Sequence, residues 1–109
     1  MIGEFEYLLL SAAARLGQDA YGAAIREDVE RVTDRPCSAG ALYTTIERLE
    51  QKGLLETWMG DPTSERGGRS KRMVRVTARG MRKAAAFYRT ITQASEGIVW
   101  RPHAKGARS

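Results

Sequence analysis

The sequence is poor in the residues on which disulfide-bonded, zinc-binding and membrane-spanning proteins depend. Its 109 residues include one cysteine and one histidine. A single cysteine excludes an intramolecular disulfide, and the two residues together are too few for the usual structural zinc site. The longest apolar run lies within residues 7–14 and is far too short to span a bilayer. The N-terminus carries Glu4 and Glu6 in place of a basic segment, so a signal peptide is not expected.

The sequence also lacks a set of residues arranged for catalysis. Its histidine, His103, lies in the C-terminal segment without a nucleophile beside it. Hydrophobic residues make up 42% and charged residues 28% of the chain, which is ordinary for one globular domain. We therefore expect a single cytoplasmic domain that is not an enzyme and that needs no metal or cofactor.

The charges are distributed unevenly between the two halves of the chain, whose overall net charge is +5. Residues 1–59 carry 6 basic and 10 acidic side chains, a net charge of −4. Residues 60–109 carry 12 basic and 3 acidic side chains, a net charge of +9. A basic half of this kind is typical of a surface that faces a polyanion. The alternative is a solvated basic surface without a partner.

Apolar spacing predicts three helices in the first part of the chain, because apolar residues recur there at i, i+3 and i+4. Gly17 ends the first helix, and the Arg35-Pro36 pair breaks the chain after the second. Ser38 is a suitable N-cap for the third helix, which Gly53 closes. The predicted helices are residues 3–16, 21–32 and 39–52.

After Gly53 the apolar period changes to two, which predicts a β-hairpin. The predicted strands are residues 55–59 and 71–76, joined by a loop rich in turn formers. Thr77 can cap a fourth helix that reaches about Ser95. The fold class is therefore mainly α with a small β-hairpin, in the order α-α-α-β-β-α of a winged helix-turn-helix. We expect three parts: a DNA-binding domain (1–77), a dimerisation helix (78–98) and a basic, poorly ordered tail (99–109).

In a winged helix-turn-helix the third helix enters the major groove of DNA. Here Leu42, Ile46 and Leu49 share the inward face, so the opposite face is free to contact DNA. Its small N-terminal residues allow close approach to a phosphate, while hydroxyls and a guanidinium can reach phosphates or base edges. The alternative is a solvated helix, which Glu47 and Glu50 favour. The candidate DNA-contacting residues are Ser38, Ala39, Gly40, Tyr43, Thr44, Thr45 and Arg48.

The hairpin loop supplies a second group of candidates. A glycine pair makes a tip without side chains that can lie against the sugar-phosphate backbone, and the basic residues around it add positive charge. No Gly-x-x-x-x-Gly-Lys-Ser/Thr motif is present, so the glycines do not indicate a nucleotide site. The candidate residues of this wing are Arg66, Gly67, Gly68, Arg69, Lys71 and Arg72.

These segments resemble the PadR family of bacterial transcriptional regulators over about residues 3–90. The similar stretches are Asp19-Ala20-Tyr21-Gly22-Ala23-Ala24-Ile25, the segment from Ser38 to Leu54 with Gly40-Ala41-Leu42-Tyr43, Gly67-Gly68-Arg69-Ser70-Lys71-Arg72 and Val76-Thr77-Ala78-Arg79-Gly80. The resemblance implies a winged helix-turn-helix, homodimerisation through the C-terminal helix, and operator binding that usually represses transcription. The single C-terminal helix resembles the smaller subclass. Many relatives have aromatic residues where this chain has Met73 and Val74.

The fourth helix carries a stripe of apolar and small residues on one side, and Phe87, Ala94 and Ile98 form an adjoining row. A helix of about 18 residues is roughly 27 Å long and should project beyond so small a domain. We therefore expect a two-fold dimer through this stripe, on a near-palindromic operator with half-sites about 10–10.5 bp apart or a multiple of that. A monomer with its fourth helix folded back is the alternative. The expected interface residues are Met81, Ala84, Ala85, Tyr88, Ile91 and Ser95.

Other functions remain open at this point. The main alternative is a winged-helix subunit that binds protein, although such modules usually lose the basic wing residues kept here. RNA binding lacks an aromatic platform for single strands. A small aromatic effector is a further hypothesis, with Trp58, Phe87, Tyr88 and Trp100 as the available aromatic side chains. Cys37 is interpreted as a small packing residue, with a redox-sensing thiolate as the less favoured alternative.

Overall fold

Four α-helices and one antiparallel hairpin make up residues 1–60 and 70–102, the part of the chain that the computed structural model describes. The elements are α1 (Glu4–Leu16), α2 (Gly22–Thr33), α3 (Ala39–Gln51), β1 (Leu55–Met59), β2 (Arg72–Val76) and α4 (Ala78–Ser95). The predicted fold class and the order α-α-α-β-β-α are confirmed. The predicted wing tip, residues 66–69, and residues 103–109 of the predicted tail, including His103, lie outside the described residues.

Capping side chains set the beginning of the two helices that matter most for function. The Ser38 Oγ accepts a hydrogen bond of 3.1 Å from the amide of Ala41 at the start of α3. The Thr77 Oγ1 accepts one of 3.0 Å from the amide of Gly80 at the start of α4. Each cap satisfies an amide that the helix itself leaves without an acceptor. Both N-caps agree with the sequence-based prediction.

One apolar core joins all these elements. Its largest fully buried side chains come from α1, α2, α3 and the hairpin, and the three inward residues predicted for α3 are among them. Burying a side chain of this size stabilises the fold by about 1.5–3 kcal/mol. The fully buried set is Leu9, Leu10, Ile25, Leu42, Ile46, Leu49, Leu55 and Val74.

The hairpin is attached to the connection between α1 and α2. In the hairpin itself, Leu55 pairs with Val76 and Met59 with Arg72. The amide of Val74 donates a hydrogen bond of 2.9 Å to the carbonyl of Ala20, and Tyr21 forms an isolated antiparallel bridge with Met73. The segment before α2 thus acts as a short third strand, which fixes the hairpin beside the N-terminus of α2.

The beginning of α4 packs directly on the turn between α3 and β1. Gly80 is buried, and a Cβ atom placed on it would lie 2.2 Å from the carbonyl oxygen of Leu54, so no larger residue fits without a shift. The Thr77 Oγ1 also donates a hydrogen bond of 2.7 Å to the carbonyl of Gly53. Further along α4, the Phe87 ring stacks on Tyr7 of α1 with centroids 4.9 Å apart.

The second half of α4 extends beyond this packing. After Phe87 its apolar side chains are exposed, including Tyr88 at 61% and Ile91 at 47%. At 18 residues the helix is roughly 27 Å long, so it is longer than the surface that covers it. None of the helices in the described ranges combines the length and apolar character needed to cross a membrane.

A buried carboxylate fastens α1 to α2. Asp28 is only 8% exposed and forms ion pairs with Arg15 of α1 and, at 2.7 Å, with Arg31. The hydrogen bond from Arg15 lowers the pKa of Asp28 below its ordinary value of 3.8, against the opposing effect of burial, and Arg31 lowers it further. The folded protein therefore favours the ionised form of Asp28.

This pKa shift predicts a loss of stability in acid. Because the folded state holds the pKa of Asp28 below the unfolded value, the stabilisation is present above about pH 4 and disappears as the pH falls through the folded-state pKa. Replacing Asp28 with Asn should lower the free energy of unfolding at pH 7 by about 1–2 kcal/mol and make its decrease between pH 5 and pH 2 shallower. Urea unfolding at several pH values measures both effects. Asp19→Asn, at an exposed position, is the control, and equal pH slopes for wild type and Asp28→Asn would contradict the assignment.

Candidate nucleic-acid interface

The outer face of α3 is the largest part of the candidate interface. Most of its predicted DNA-contacting residues are exposed, and Tyr43 is half-buried. Because the apolar face of α3 is fully buried, the helix cannot rotate to hide this set. Glu47 and Gln51, nearer its C-terminal end, share the exposed face. The exposed candidates are Ser38, Ala39, Gly40, Thr44 and Arg48.

Thr45 does not belong to this face. It is 5% exposed, and its Oγ1 donates a hydrogen bond of 2.8 Å to the carbonyl of Ala41. At about 100° per residue it lies only some 60° around the helix from the buried Leu42. The prediction that Thr45 reaches a base edge is therefore corrected, because its hydroxyl is bonded inside the helix and faces the core.

The turn before α3 is held from both sides by α2. The Cys37 amide donates a hydrogen bond of 2.7 Å to the Glu30 carboxylate, and the Cys37 carbonyl accepts one from the Arg26 guanidinium. Burial raises the pKa of the Cys37 thiol above its ordinary value of 9.0, and the charge of Glu30 raises it further. These contacts agree with the packing interpretation of Cys37, and they fix the direction in which α3 begins.

At the other end of α3, Glu50 connects the helix to both strands of the hairpin. Its carboxylate accepts a hydrogen bond of 2.7 Å from the Thr57 hydroxyl and lies 3.4 Å from the guanidinium of Arg72. Arg72 was predicted as a wing cation for DNA. The structure instead places its guanidinium in an intramolecular ion pair, so its charge is partly neutralised before any partner arrives.

Lys71 is an exposed cation next to β2. It forms no ion pair with the residues in the described ranges, and its Nζ lies 4.1 Å from the centre of the Tyr21 ring. This cation–π contact holds the ammonium beside the residue that precedes α2. Sequence reasoning gave Tyr21 no role, because the contact joins positions far apart in the chain. The presence of Tyr21-Gly22 in a stretch that resembles the PadR family was the only sequence feature that pointed to Tyr21.

The aromatic side chains named for an effector do not form one site. Phe87 is stacked on Tyr7, and Tyr88 and Trp100 are exposed on or after α4. Trp58 borders an apolar groove of about 390 Å³ between the end of α1, the hairpin and the start of α4, with Met73 and Met81 also lining it. The effector hypothesis therefore has no single aromatic cluster to support it among the described residues.

The predicted dimer stripe on α4 is mostly uncovered. Met81, Tyr88 and Ile91 are 51%, 61% and 47% exposed, and Ala85 is exposed as well. Ser95 is half-buried, and its hydroxyl donates to the carbonyl of Ile91. Ala84 differs from the prediction, because it packs against the protein's own core. The remaining stripe is apolar surface that the described residues leave uncovered.

Comparison with known proteins agrees with this architecture. Residues 9–86 match the model of the transcriptional regulator PadR-like family. None of the curated proteins compared with the chain matches it.

Solved structures give the same fold at low sequence identity. A transcriptional regulator from Clostridium thermocellum is 22% identical, with a TM-score of 0.66 over 83% of this chain and 84% of that chain. A PadR-like transcription factor from Bacteroides fragilis is 18% identical, with a TM-score of 0.65 over 84% of each chain. A winged-helix DNA-binding protein from STIV is 18% identical, with a TM-score of 0.65 over 84% of this chain and 90% of that chain. The family match spans most of the helices and the whole hairpin, and the chain belongs to the transcriptional regulator PadR-like family.

Proposed function

We propose that this protein binds a specific double-stranded operator as a homodimer and represses transcription from it. The observation that carries the proposal is the outer face of α3, which is exposed at Thr44 and Arg48 while its opposite face is buried in the core. A helix in this position can be inserted into a major groove without rearrangement of the domain.

The side chains along this face suit different parts of the DNA. Ser38, Ala39 and Gly40 leave the N-terminus of α3 open, so its positive end can approach a phosphate. Thr44 lies one turn further on and can contact a base edge or a thymine methyl group. Arg48 follows after another turn and can pair with guanine or a phosphate. Glu47 disfavours phosphate contact at the C-terminal half, which in this geometry rises out of the groove.

The wing supplies the sequence-independent part of the affinity in this proposal. Lys71 places its ammonium beside α2, over the Tyr21 ring, and the tip residues Arg66, Gly67, Gly68 and Arg69 are proposed to contact the flanking backbone. Neutralising phosphates in this way releases counterions, so binding should weaken as salt rises. Arg72 contributes through Glu50, by holding the hairpin against α3.

Dimerisation through α4 would place two copies of α3 on one face of the DNA. The uncovered stripe of Met81, Ala85, Tyr88 and Ile91 is apolar and runs past the end of the domain. The same stripe on a second chain, related by a two-fold axis, is the simplest surface that can cover it. An operator bound by such a dimer is a near-palindrome.

Lys71→Ala should weaken binding to all duplex sequences alike. One lost phosphate contact lowers the slope of log affinity against log salt by about one. Titrations of operator and random duplex over a range of salt concentrations measure this slope. Lys83→Ala, which removes an exposed cation on α4, is the matched control. A slope that stays unchanged in Lys71→Ala, or that changes equally in Lys83→Ala, would rule out a local phosphate contact.

Thr44→Ala and Arg48→Ala should reduce discrimination instead. Selection of bound DNA from a random pool supplies the operator, and each lost base contact should cost about 1–3 kcal/mol of preference for it over random duplex. Arg89→Ala on α4 is the control for loss of charge. If the wild type retains neither selected nor nonspecific duplex at low salt, the protein is an interaction module and the proposal fails.

Ile91→Asp should convert the dimer into a monomer. A buried, unpaired carboxylate in an apolar interface is strongly unfavourable. Thr90 is exposed and lies about 100° around α4 from Ile91, away from the stripe, so Thr90→Asp should leave the dimer intact. Sedimentation of the three proteins at micromolar concentration compares their mass. A monomeric wild type would contradict the proposal, and a dimeric Ile91→Asp protein would place the interface elsewhere.

A further inference from the structure

The tightest approach between the two helices of the helix-turn-helix motif lies at Gly22. This glycine is buried in the first turn of α2, and the Tyr43 side chain of α3 lies directly on it. A Cβ atom placed on Gly22 would be 2.1 Å from the Tyr43 hydroxyl oxygen, 2.6 Å from Cζ and 2.7 Å from Cε1. Since real Cβ atoms essentially never come within 3.0 Å of such a neighbour, the ring occupies the space that any other residue at position 22 would fill.

This contact determines where the Tyr43 hydroxyl is located. Tyr43 is half-buried on α3, between the buried Leu42 and the exposed Thr44. Its ring therefore lies on α2, while the buried Leu42, Ile46 and Leu49 hold the helix in place. The ring has only two rotatable bonds. A side chain at position 22 would occupy its space and turn it away from α2 toward the solvent.

The surroundings of the hydroxyl favour an anionic partner. It lies at the beginning of α2, where the N-cap residue Tyr21 gives no side-chain hydrogen bond to the first amides. The ammonium of Lys71 lies over the Tyr21 ring, at the adjacent position in the chain. A tyrosine hydroxyl is one of the side-chain groups that donate to DNA phosphates. Tyr43 of α3 and Lys71, the residue before β2, thus both lie near the same end of α2.

We infer that Gly22 is a positioning residue for operator binding, because its missing side chain seats the Tyr43 ring and so aims the phenol hydroxyl at the DNA backbone. The inference rests on the proposed function, since it requires that α3 faces DNA. It assigns separate tasks to the two residues. Tyr43 makes the contact, and Gly22 touches no DNA but decides whether Tyr43 can make it.

The test compares Gly22→Ala, Tyr43→Phe, Tyr43→Ala and the Gly22→Ala/Tyr43→Ala double variant with the wild type. Binding to the selected operator is titrated over a range of salt concentrations, and thermal melts are followed by circular dichroism. Gly3→Ala is the control, since a Cβ atom there comes no closer than 4.0 Å to its surroundings. Alanine is a better helix former than glycine, so a loss of affinity in Gly22→Ala does not reflect a weaker α2.

Tyr43→Phe should bind the operator about tenfold more weakly, as expected for one lost hydrogen bond to a charged group. Its salt slope should stay unchanged, because a hydroxyl releases no counterion. Gly22→Ala should lose at least as much affinity. In the Tyr43→Ala background, however, Gly22→Ala should cost less than twofold, because the ring that it displaces is already gone.

Three results would overturn the inference. They are binding of Gly22→Ala within twofold of the wild type, binding of Tyr43→Phe within twofold of the wild type, and an equal cost of Gly22→Ala with and without the Tyr43 ring. If Gly22→Ala does not fold, recovery of the fold in the double variant supports the steric contact, and Tyr43→Phe alone then decides the role of the hydroxyl. A wild type that binds no duplex refutes the proposed function itself, which distinguishes that failure from loss of the Gly22 assignment.

Discussion

The burial of one face of α3 is the constraint on which the rest of the structure depends. Leu42, Ile46 and Leu49 have no exposed surface, and together they fix the rotation of the helix about its own axis. Polar contacts then fix its two ends: the Cys37 backbone is held by α2, and Glu50 is bonded to the hairpin. The outer face needs no contacts of its own to be held in place, so its residues are free to suit a partner.

The fold could be predicted from local signals because those signals are strong here. Ser38 and Thr77 are capping residues whose position alone indicates a helix start, and the apolar period changes from helical to alternating after Gly53. The hairpin's attachment to Ala20 and Tyr21 could not be predicted, since a single bridge between distant residues leaves no periodic pattern. The requirement for glycine at position 80 could not be predicted either, because it comes from the Leu54 carbonyl that lies against Gly80.

The candidate site was harder to predict than the fold, for reasons that differ between residues. Thr45 looks polar in sequence, but its hydroxyl bonds to the Ala41 carbonyl within the helix, so its burial leaves no polar group unsatisfied. Arg72 adds to the basic count of the chain, yet Glu50 neutralises part of its charge, and Glu56 does the same for Arg75. Composition counts charges without their partners. The net charge of the C-terminal half therefore overstates the charge available to DNA on the hairpin.

The contact between Gly80 and the Leu54 carbonyl has a mechanical consequence. It leaves no flexible joint between α4 and the turn that follows α3, and the Thr77 hydroxyl closes the same corner through Gly53. In the proposed dimer joined through α4, the N-terminus of each α4 is rigidly attached to the helix-turn-helix part of its own chain. The separation of the two α3 helices then depends on the angle at which the α4 helices cross. A small change in that angle would produce a larger displacement of the α3 helices at the DNA.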